Sequence, residues 1–228
     1  MGSFLSGLFG GSALDLVITF LTRGFILLAV LPLHECAHGW VAHKLGDDTA
    51  KLQGRLTLNP RAHLDLMGSL AIMLVGFGWA KPVPVNPFNF KNRKGGMAIT
   101  ALAGPLSNFL FALLAMIIYR IVYIFVASIP DGAWVGISYF FSLVISINIA
   151  LAVFNLIPFP PLDGSRILGF FLPDRIYYKL GKYENVLFFV LIAVMFSGLL
   201  DGPLGAMQGA VFNGLFFIVN LPFQALGL

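Results

Sequence analysis

The sequence predicts an all-α, polytopic membrane protein with about five transmembrane helices, in a single membrane-embedded domain over residues 1–228. Hydrophobic residues make up 58% of the chain, charged residues only 11%, and the mean hydropathy is +0.90. Several apolar segments reach the roughly 20 residues that an α-helix needs to cross a bilayer. The net charge of +4 is therefore attributed to cytoplasmic loops and not to nucleic-acid binding. The single cysteine, Cys36, excludes an intrachain disulfide framework.

The first predicted span runs from about Leu14 to His43, and Gly46 is a helix stop just beyond it. No Lys or Arg precedes Arg23, so the N-terminus lacks the charged region of a cleaved signal peptide, and we expect this span to be retained. Pro32 lies within the span and should kink the helix and free a backbone carbonyl.

An H-E-x-x-H motif, His34-Glu35-Cys36-Ala37-His38, follows Pro32. A chance match anywhere in the chain has a probability of about one in a thousand or less, given how few histidines and glutamates it contains. Residues four apart share a helix face, so His34 and His38 can direct two imidazoles at one ion. Glu35 lies beside them, where it can polarise a water molecule. The motif therefore predicts a zinc hydrolase site with one Zn²⁺ per chain, and ionisable groups at membrane depth usually serve function.

A small β-hairpin or edge-strand element and a re-entrant helix are predicted between the first two spans. Lys51–Leu58 alternates polar and apolar residues with the period of a strand. Leu64–Trp79 is apolar but too short to cross a bilayer comfortably, and it contains three glycines. We therefore expect a re-entrant or interfacial helix there.

The run Lys81–Pro87 must be extended, because each proline disfavours helix at the residue before it. Pro82 and Pro84 leave one edge of this run without N–H donors, whereas Val83 and Val85 keep theirs on the other edge. The run is either a one-sided edge strand that binds a partner strand or peptide, or a plain proline-rich connector.

Four further spans are predicted after this region, and a polar segment over residues 157–183 separates the second from the third of them. They run from about Gly96 to Phe125, Trp134 to Leu156, Asn185 to Leu200, and Gly205 to Pro222. The catalytic core is expected within residues 14–166, with additional C-terminal spans within residues 184–225.

Lys and Arg predict the orientation, because they concentrate on the cytoplasmic side of membrane proteins. The turns at residues 127–133 and 201–206 contain neither residue type. We therefore expect a multi-pass protein of the cell membrane with an extracytoplasmic N-terminus and an active site toward the cytoplasm. Most of the 14 Lys and Arg residues lie in two segments: Lys44, Lys51, Arg55, Arg61, Lys81, Lys91, Arg93 and Lys94, then Arg166, Arg175, Lys179 and Lys182.

Catalytic zinc usually has three protein ligands, so a third is needed. His43 and Cys36 point away from the face that carries His34, and His63 lies in a loop that nothing in the sequence positions. Asp163 is the stronger candidate. It follows a proline-rich break at membrane depth, where irregular backbone must be buried or line a cavity.

The alternative for Asp163 is an ordinary interfacial aspartate paired with Arg166. Charge parity places Asp163 at the same membrane level as the two histidines, which favours the ligand.

Together these motifs resemble the site-2 protease family of intramembrane zinc metalloproteases, peptidase family M50. The resemblance is carried by the H-E-x-x-H motif, by Asn155…Pro158…Asp163-Gly164, and by Ala103-Gly104-Pro105-Leu106-Ser107-Asn108, which matches a G-x-x-x-N pattern. It covers roughly residues 14–166, with the motifs in family order. The chain is similar to a minimal form without PDZ or CBS domains, and residues 157–162 carry more prolines than the shortest family motif.

The resemblance implies a zinc metalloendopeptidase in which His34, His38 and Asp163 bind zinc and Glu35 is catalytic. It also implies that Asn108 and Asn155 hold the substrate backbone or the oxyanion, and that the edge with Val83 and Val85 binds an unwound substrate. The expected partners are a transmembrane-helix protein substrate, the lipid bilayer and a separate regulatory membrane protein. From the residues alone, interhelical hydrogen bonding is the simpler role for both asparagines.

Two other functions are consistent with intramembrane His and Asp residues. A membrane metal-binding or metal-transport protein would use them along an ion path. An inactive scaffold would bind membrane helices but would have no need of a complete ligand set. Glu35 favours the protease, because a transporter has little use for an acid beside the first histidine.

Overall fold

The computed structural model describes residues 13–76, 78–126 and 129–225, and these residues form helices and contain no strand. The longer helices are built from apolar segments, as their composition predicts. We number the helices in chain order: α1 Ala13–Lys44, α2 Thr49–Leu52, α3 Leu66–Val75, α4 Arg93–Ile124, α5 Asp131–Asn155, α6 Asp163–Phe171, α7 Asp174–Lys182, α8 Glu184–Phe196 and α9 Asp201–Ala225; short 3-10 turns lie at Pro60–Ala62 and Pro87–Asn89.

Helix α1 changes its winding just before the H-E-x-x-H motif. It is α-helical over Ala13–Phe25, π-helical over Ile26–Val30 and α-helical again over Leu31–Lys44. Pro32 is at the start of the last section, and because it has no N–H it interrupts the hydrogen-bond ladder there. Such π-helical turns are frequent at functional sites.

Within the described residues, four helices are long and apolar enough to cross a membrane: α1, α4, α5 and α9. They coincide with the predicted first, second, third and fifth spans. The span predicted at residues 185–200 corresponds to α8, which has only 13 residues. At a rise of 1.5 Å per residue it is about 20 Å long, which is short of the roughly 30 Å hydrocarbon core. The prediction of five full spans is therefore not confirmed.

The β-hairpin prediction is wrong for the described residues. Within Lys51–Leu58, the first residues belong to α2, and Gly54 follows with a φ of +66°. Leu52 and Leu58 are 84% and 61% exposed. The alternation of residue types therefore does not mark one buried face of a strand, because the chain turns within it.

Residues 81–86 of the predicted run are extended, as the prolines predict, and Pro87 begins a 3-10 turn, but no strand lies beside them in the described part of the chain. We call residues 81–86 the extended segment. Its backbone bonds mainly to side chains, as described below.

Helix α3 lies within the stretch predicted as a re-entrant helix, Leu64–Trp79, and its 10 residues are too few to cross a bilayer. Asp65 caps its first turn by accepting from the Gly68 N–H at 2.8 Å, and Gly76 ends it with a φ of +80°. The buried Arg23 of α1 donates to the Met73 carbonyl at 2.6 Å, which ties the C-terminus of α3 to α1. Its placement as a re-entrant element stays a prediction.

Helix α4 packs against α1, α5 and α6 and so brings together the elements that carry the candidate site. Apolar side chains of α4, α5 and α9 form the main core: Ala112, Ala115, Met116, Val144, Ile145, Ile149, Val153 and Val219.

Candidate metal centre

Two buried imidazoles of α1 face one another. His34 and His38 are 6% and 8% exposed, and their Nε2 atoms lie 3.1 Å apart. The spacing of four residues brings them to one face of the helix, as the motif predicts. The other nitrogen of His38, Nδ1, donates to the Thr100 carbonyl at 2.7 Å. This hydrogen bond leaves the lone pair of His38 Nε2 free to bind a cation.

Asp163 completes a group of three ligand atoms. It is the first residue of α6, directly after the proline-rich break. Its Oδ2 lies 3.4 Å from His34 Nε2 and 3.3 Å from His38 Nε2. Asp163 therefore contacts the histidines and forms no ion pair with Arg166.

The three atoms fit a zinc ion. Ligand atoms about 2.0–2.1 Å from zinc at tetrahedral angles stand about 3.3–3.4 Å from one another, and the observed separations are 3.1, 3.3 and 3.4 Å. Asp163 Oδ2 is buried and has no hydrogen-bond partner within the described residues. Because His38 Nε2 directs a lone pair at this oxygen, a cation between them is the arrangement that satisfies both atoms.

Gly104 lets α4 approach the histidines. A Cβ atom added there would overlap His38 Nε2 and His34 Cε1. Thr100, Gly104 and Asn108 are four residues apart, so they lie on one face of α4, toward α1. The spacing is visible in the sequence, but the sequence alone does not indicate that Thr100 and Gly104 contact the histidines.

Glu35 lies outside the ligand group but beside it. Its Oε2 accepts a hydrogen bond from the Val83 N–H of the extended segment at 2.8 Å. The three ligands and Glu35 line one cavity of about 900 Å³. The carboxylate that follows the first histidine therefore faces the same space as the ligand atoms.

Asn108, Asn155, Val83 and Val85 also line this cavity. Asn108 is 1% exposed, and its Nδ2 has no hydrogen-bond partner within the described residues. Asn155 is the last residue of α5, and its Nδ2 donates to the Leu151 carbonyl at 3.0 Å. Asn108 thus has an unused donor in the cavity, whereas the Asn155 amide is already engaged.

The other histidines lie outside the group. His63 is fully buried, its Nε2 donates to the Thr57 carbonyl at 2.7 Å, and its own carbonyl accepts from the Lys81 N–H at 2.7 Å. His43 pairs with Asp48. Among the described residues, the group able to hold a metal ion consists of His34, His38 and Asp163.

Sequence comparisons relate the chain to known metalloproteases. The model of Peptidase family M50 matches residues 121–198. A Bacillus subtilis (strain 168) protein named "Putative zinc metalloprotease YwhC" is 37% identical over 200 residues, which cover 88% of this chain and 91% of that protein. Rip2 of Mycobacterium tuberculosis (strain ATCC 25618 / H37Rv), which bears the same description, is 28% identical over 181 residues, which cover 77% of this chain and 66% of that protein. No solved structure matches the chain significantly.

Proposed function

The chain belongs to peptidase family M50, the site-2 protease family, and from this premise we propose that it hydrolyses peptide bonds in or near the transmembrane segments of membrane proteins. The observation that carries the proposal is the triangle of His34 Nε2, His38 Nε2 and Asp163 Oδ2, with edges of 3.1–3.4 Å, in the cavity that Glu35 also lines.

In this proposal His34, His38 and Asp163 hold one zinc ion. Bound zinc would supply Lewis-acid activation of water and of the scissile carbonyl. Glu35 takes a proton from the attacking water and transfers it to the leaving amine as the C–N bond breaks. The separation of roles follows from position, because the three ligand atoms face one another whereas Glu35 faces the extended segment.

Asn108 is the better candidate to donate to the substrate carbonyl or the oxyanion. Its Nδ2 is buried and without an acceptor in the described part of the chain, and an unused buried donor is costly unless a ligand satisfies it. Asn155 can contribute only its second N–H, because the first already bonds to Leu151.

The substrate must be unwound at the scissile bond, because a helical amide is hydrogen-bonded and shielded by side chains. The extended segment supports binding of such a backbone. No hydrogen bond to the Val85 N–H or the Val83 carbonyl is found in the described residues. These groups can pair with an extended substrate as an added strand would, next to Glu35.

We further propose that the site faces the cytoplasm of a cell membrane, with an extracytoplasmic N-terminus. The basic residues between α1 and α4 and around α6 and α7 support this orientation. A cytoplasmic opening would also let water reach the ligand group.

The test is cleavage of a library of single-span model substrates, each tagged on both sides of the membrane and co-expressed with the full chain. We expect fragments with wild type, loss of cleavage on chelation, return with added zinc, and no fragments with Glu35→Gln. Cleavage by Glu35→Gln at the wild-type rate would refute the mechanism.

A transport assay in proteoliposomes, read beside the cleavage test, separates the protease from the metal-transport alternative. Proteoliposomes of wild type that accumulate zinc in a manner dependent on His34 and His38, without cleaving any library member, would favour transport.

A further inference from the structure

The extended segment lies against the catalytic helix, but it is not part of a sheet. Its Val83 N–H donates to Glu35 Oε2. The Val83 side chain packs on Gly39 of α1, because a Cβ atom added to Gly39 would lie only 3.3 Å from Val83 Cγ1. Holding an isolated extended chain in one conformation costs backbone entropy at every residue. Other contacts must therefore fix its position.

Arg55 holds the start of the segment. Its side chain is buried, and Nη2 donates to the Lys81 carbonyl at 2.7 Å and to the Pro82 carbonyl at 3.1 Å. A buried guanidinium is costly unless its donors are satisfied, and the bonds of Nη2 to the segment supply part of this, whereas Nε has no partner within the described residues. These two bonds occupy the Lys81 and Pro82 carbonyls, and no hydrogen bond to the Val83 carbonyl is found in the described residues.

Asp47 holds the end of the segment. Its residue is fully buried, and Oδ2 accepts from the Asn86 N–H at 2.7 Å. The other oxygen, Oδ1, accepts from Asn89 Nδ2 at 2.7 Å and from the Thr49 N–H at 3.1 Å. A buried carboxylate with this many donors is a strong and directional anchor.

Both anchors are also connected to α1. The Asp47 N–H donates to the carbonyl of Ala42, in the last turn of α1, at 2.9 Å. The Arg55 N–H donates to the Ala50 carbonyl at 2.8 Å, and Ala50 packs against Gly39. The helix that carries His34, Glu35 and His38 therefore also sets the position of the segment.

We propose that Arg55 and Asp47 are positioning residues that fix the register of the extended segment relative to Glu35, so that Val83 and Val85 meet the substrate backbone at the reacting bond. This inference rests on the proposed function, and it names the residues that hold the extended segment in place for substrate binding. They act on substrate binding through the segment and do not touch the reacting atoms.

The experiment uses the full chain, loaded with zinc in detergent, and two uncleavable probes. Acetohydroxamate binds metal and has no peptide, whereas a hydroxamate on an extended tetrapeptide needs both the metal and the segment. We expect Arg55→Gln and Asp47→Asn each to weaken binding of the peptide hydroxamate about tenfold or more. Zinc content and acetohydroxamate binding should stay at the wild-type level.

Matched controls lie next to both anchors. Arg61→Gln changes an exposed arginine of the same connection, and Asp48→Asn changes the exposed neighbour of Asp47; neither side chain bonds to the segment, so both should bind the two probes as wild type does. Hydrogen exchange gives a second readout. The Val83 and Asn86 amides should exchange faster in the anchor variants and not in the controls.

Three results would overturn the inference. Peptide hydroxamate binding equal to that of the controls would show that the anchors do not position the segment. Equal losses for both probes would show a merely structural role. Wild type that binds neither zinc nor acetohydroxamate would refute the proposed function itself, and this result is distinct because it appears before any variant is compared.

Discussion

Glu35 Oε2 and the Val83 N–H are hydrogen-bonded at 2.8 Å, which joins the acidic residue of the H-E-x-x-H motif to the extended segment. The Glu35 carboxylate thus lies beside the ligand group of its own helix and also bonds to the backbone of a distant loop. A substitution at Glu35 can therefore change proton transfer, loop position, or both, and the choice of replacement decides which is measured.

Glu35→Gln and Glu35→Ala separate these two effects. A glutamine Oε1 can still accept from Val83 but takes up no proton, so we expect normal zinc content, normal binding of the peptide hydroxamate, and a loss of cleavage of at least a hundredfold. Alanine removes the acceptor as well, and the peptide hydroxamate should then bind more weakly. Equal probe binding by the two variants would show that the bond to Glu35 does not hold the segment.

Asp163→Ala should remove most of the bound zinc, because two imidazoles alone hold the ion weakly. The measurement is zinc per chain in purified protein, with about one expected for wild type. Asp174→Ala is the matched control, since Asp174 is likewise the first residue of its helix but is exposed and paired with Lys94. Full zinc retention in Asp163→Ala would exclude Asp163 as a ligand.

Gly104→Ala should disturb the ligand group through one methyl group. The new Cβ would overlap His38 and His34, so α4 must move or the imidazoles must rotate. Overpacking of this kind costs about 1–3 kcal/mol, and we expect lower zinc content with a lower Tm. Gly209→Ala in α9 has open space at the new Cβ and should leave both quantities near wild type or slightly raise the Tm.

The parts of the site that could be predicted from the sequence are the ones with local spacing. His34 and His38 share a face because a helix repeats every 3.6 residues, which requires no knowledge of the tertiary fold. Asp163 is far away in the chain, and the sequence favours it because a proline-rich break at membrane depth must be buried or line a cavity.

The contacts of the extended segment could not be predicted in this way. Arg55 and Asp47 bond to backbone groups of residues 81–86. Because nearly every residue offers the same backbone groups, the sequence does not indicate which of them a distant side chain will bind. The alternation of polar and apolar residues in Lys51–Leu58 predicts a strand, but the same alternation can occur in a turn. There, hydrogen bonds from Thr49 to the carboxylate of Asp47 start a short helix instead.

Arg23→Met should loosen α3. Arg23 Nη1 donates to the Met73 carbonyl at 2.6 Å and to the Leu74 carbonyl at 3.3 Å, so it satisfies carbonyls that the helix end leaves open. Hydrogen bonds from a charged group are worth about 1.5–3 kcal/mol, and we expect faster hydrogen exchange within Leu66–Val75. Arg120→Met is the control, because Arg120 belongs to α4 and lies over Tyr123. Unchanged exchange in Arg23→Met would show that other contacts hold α3.

Asp47 predicts how acid affects the extended segment. Burial alone would raise the pKa of Asp47, but hydrogen bonds from Thr49, Asn86 and Asn89 outweigh burial and hold this pKa below its usual range. An unfolded aspartate has a pKa of about 3.9, so the ionised carboxylate stabilises the fold above that pH. This contribution is lost as the pH falls through the lower folded-state pKa.

Asp47→Asn should therefore have a lower Tm than wild type at pH 7, and the difference should narrow as the pH falls below about 4. The other carboxylates titrate in both proteins, so their effect on Tm cancels when the two proteins are compared in the same buffers. Asp48→Asn serves again as the control; it loses an exposed pair with His43, which is worth little, so its Tm should stay close to that of wild type across this pH range. A difference between Asp47→Asn and wild type that stays constant from pH 7 to pH 3 would mean that the charge of Asp47 contributes nothing, and that only the shape of its side chain holds Asn86.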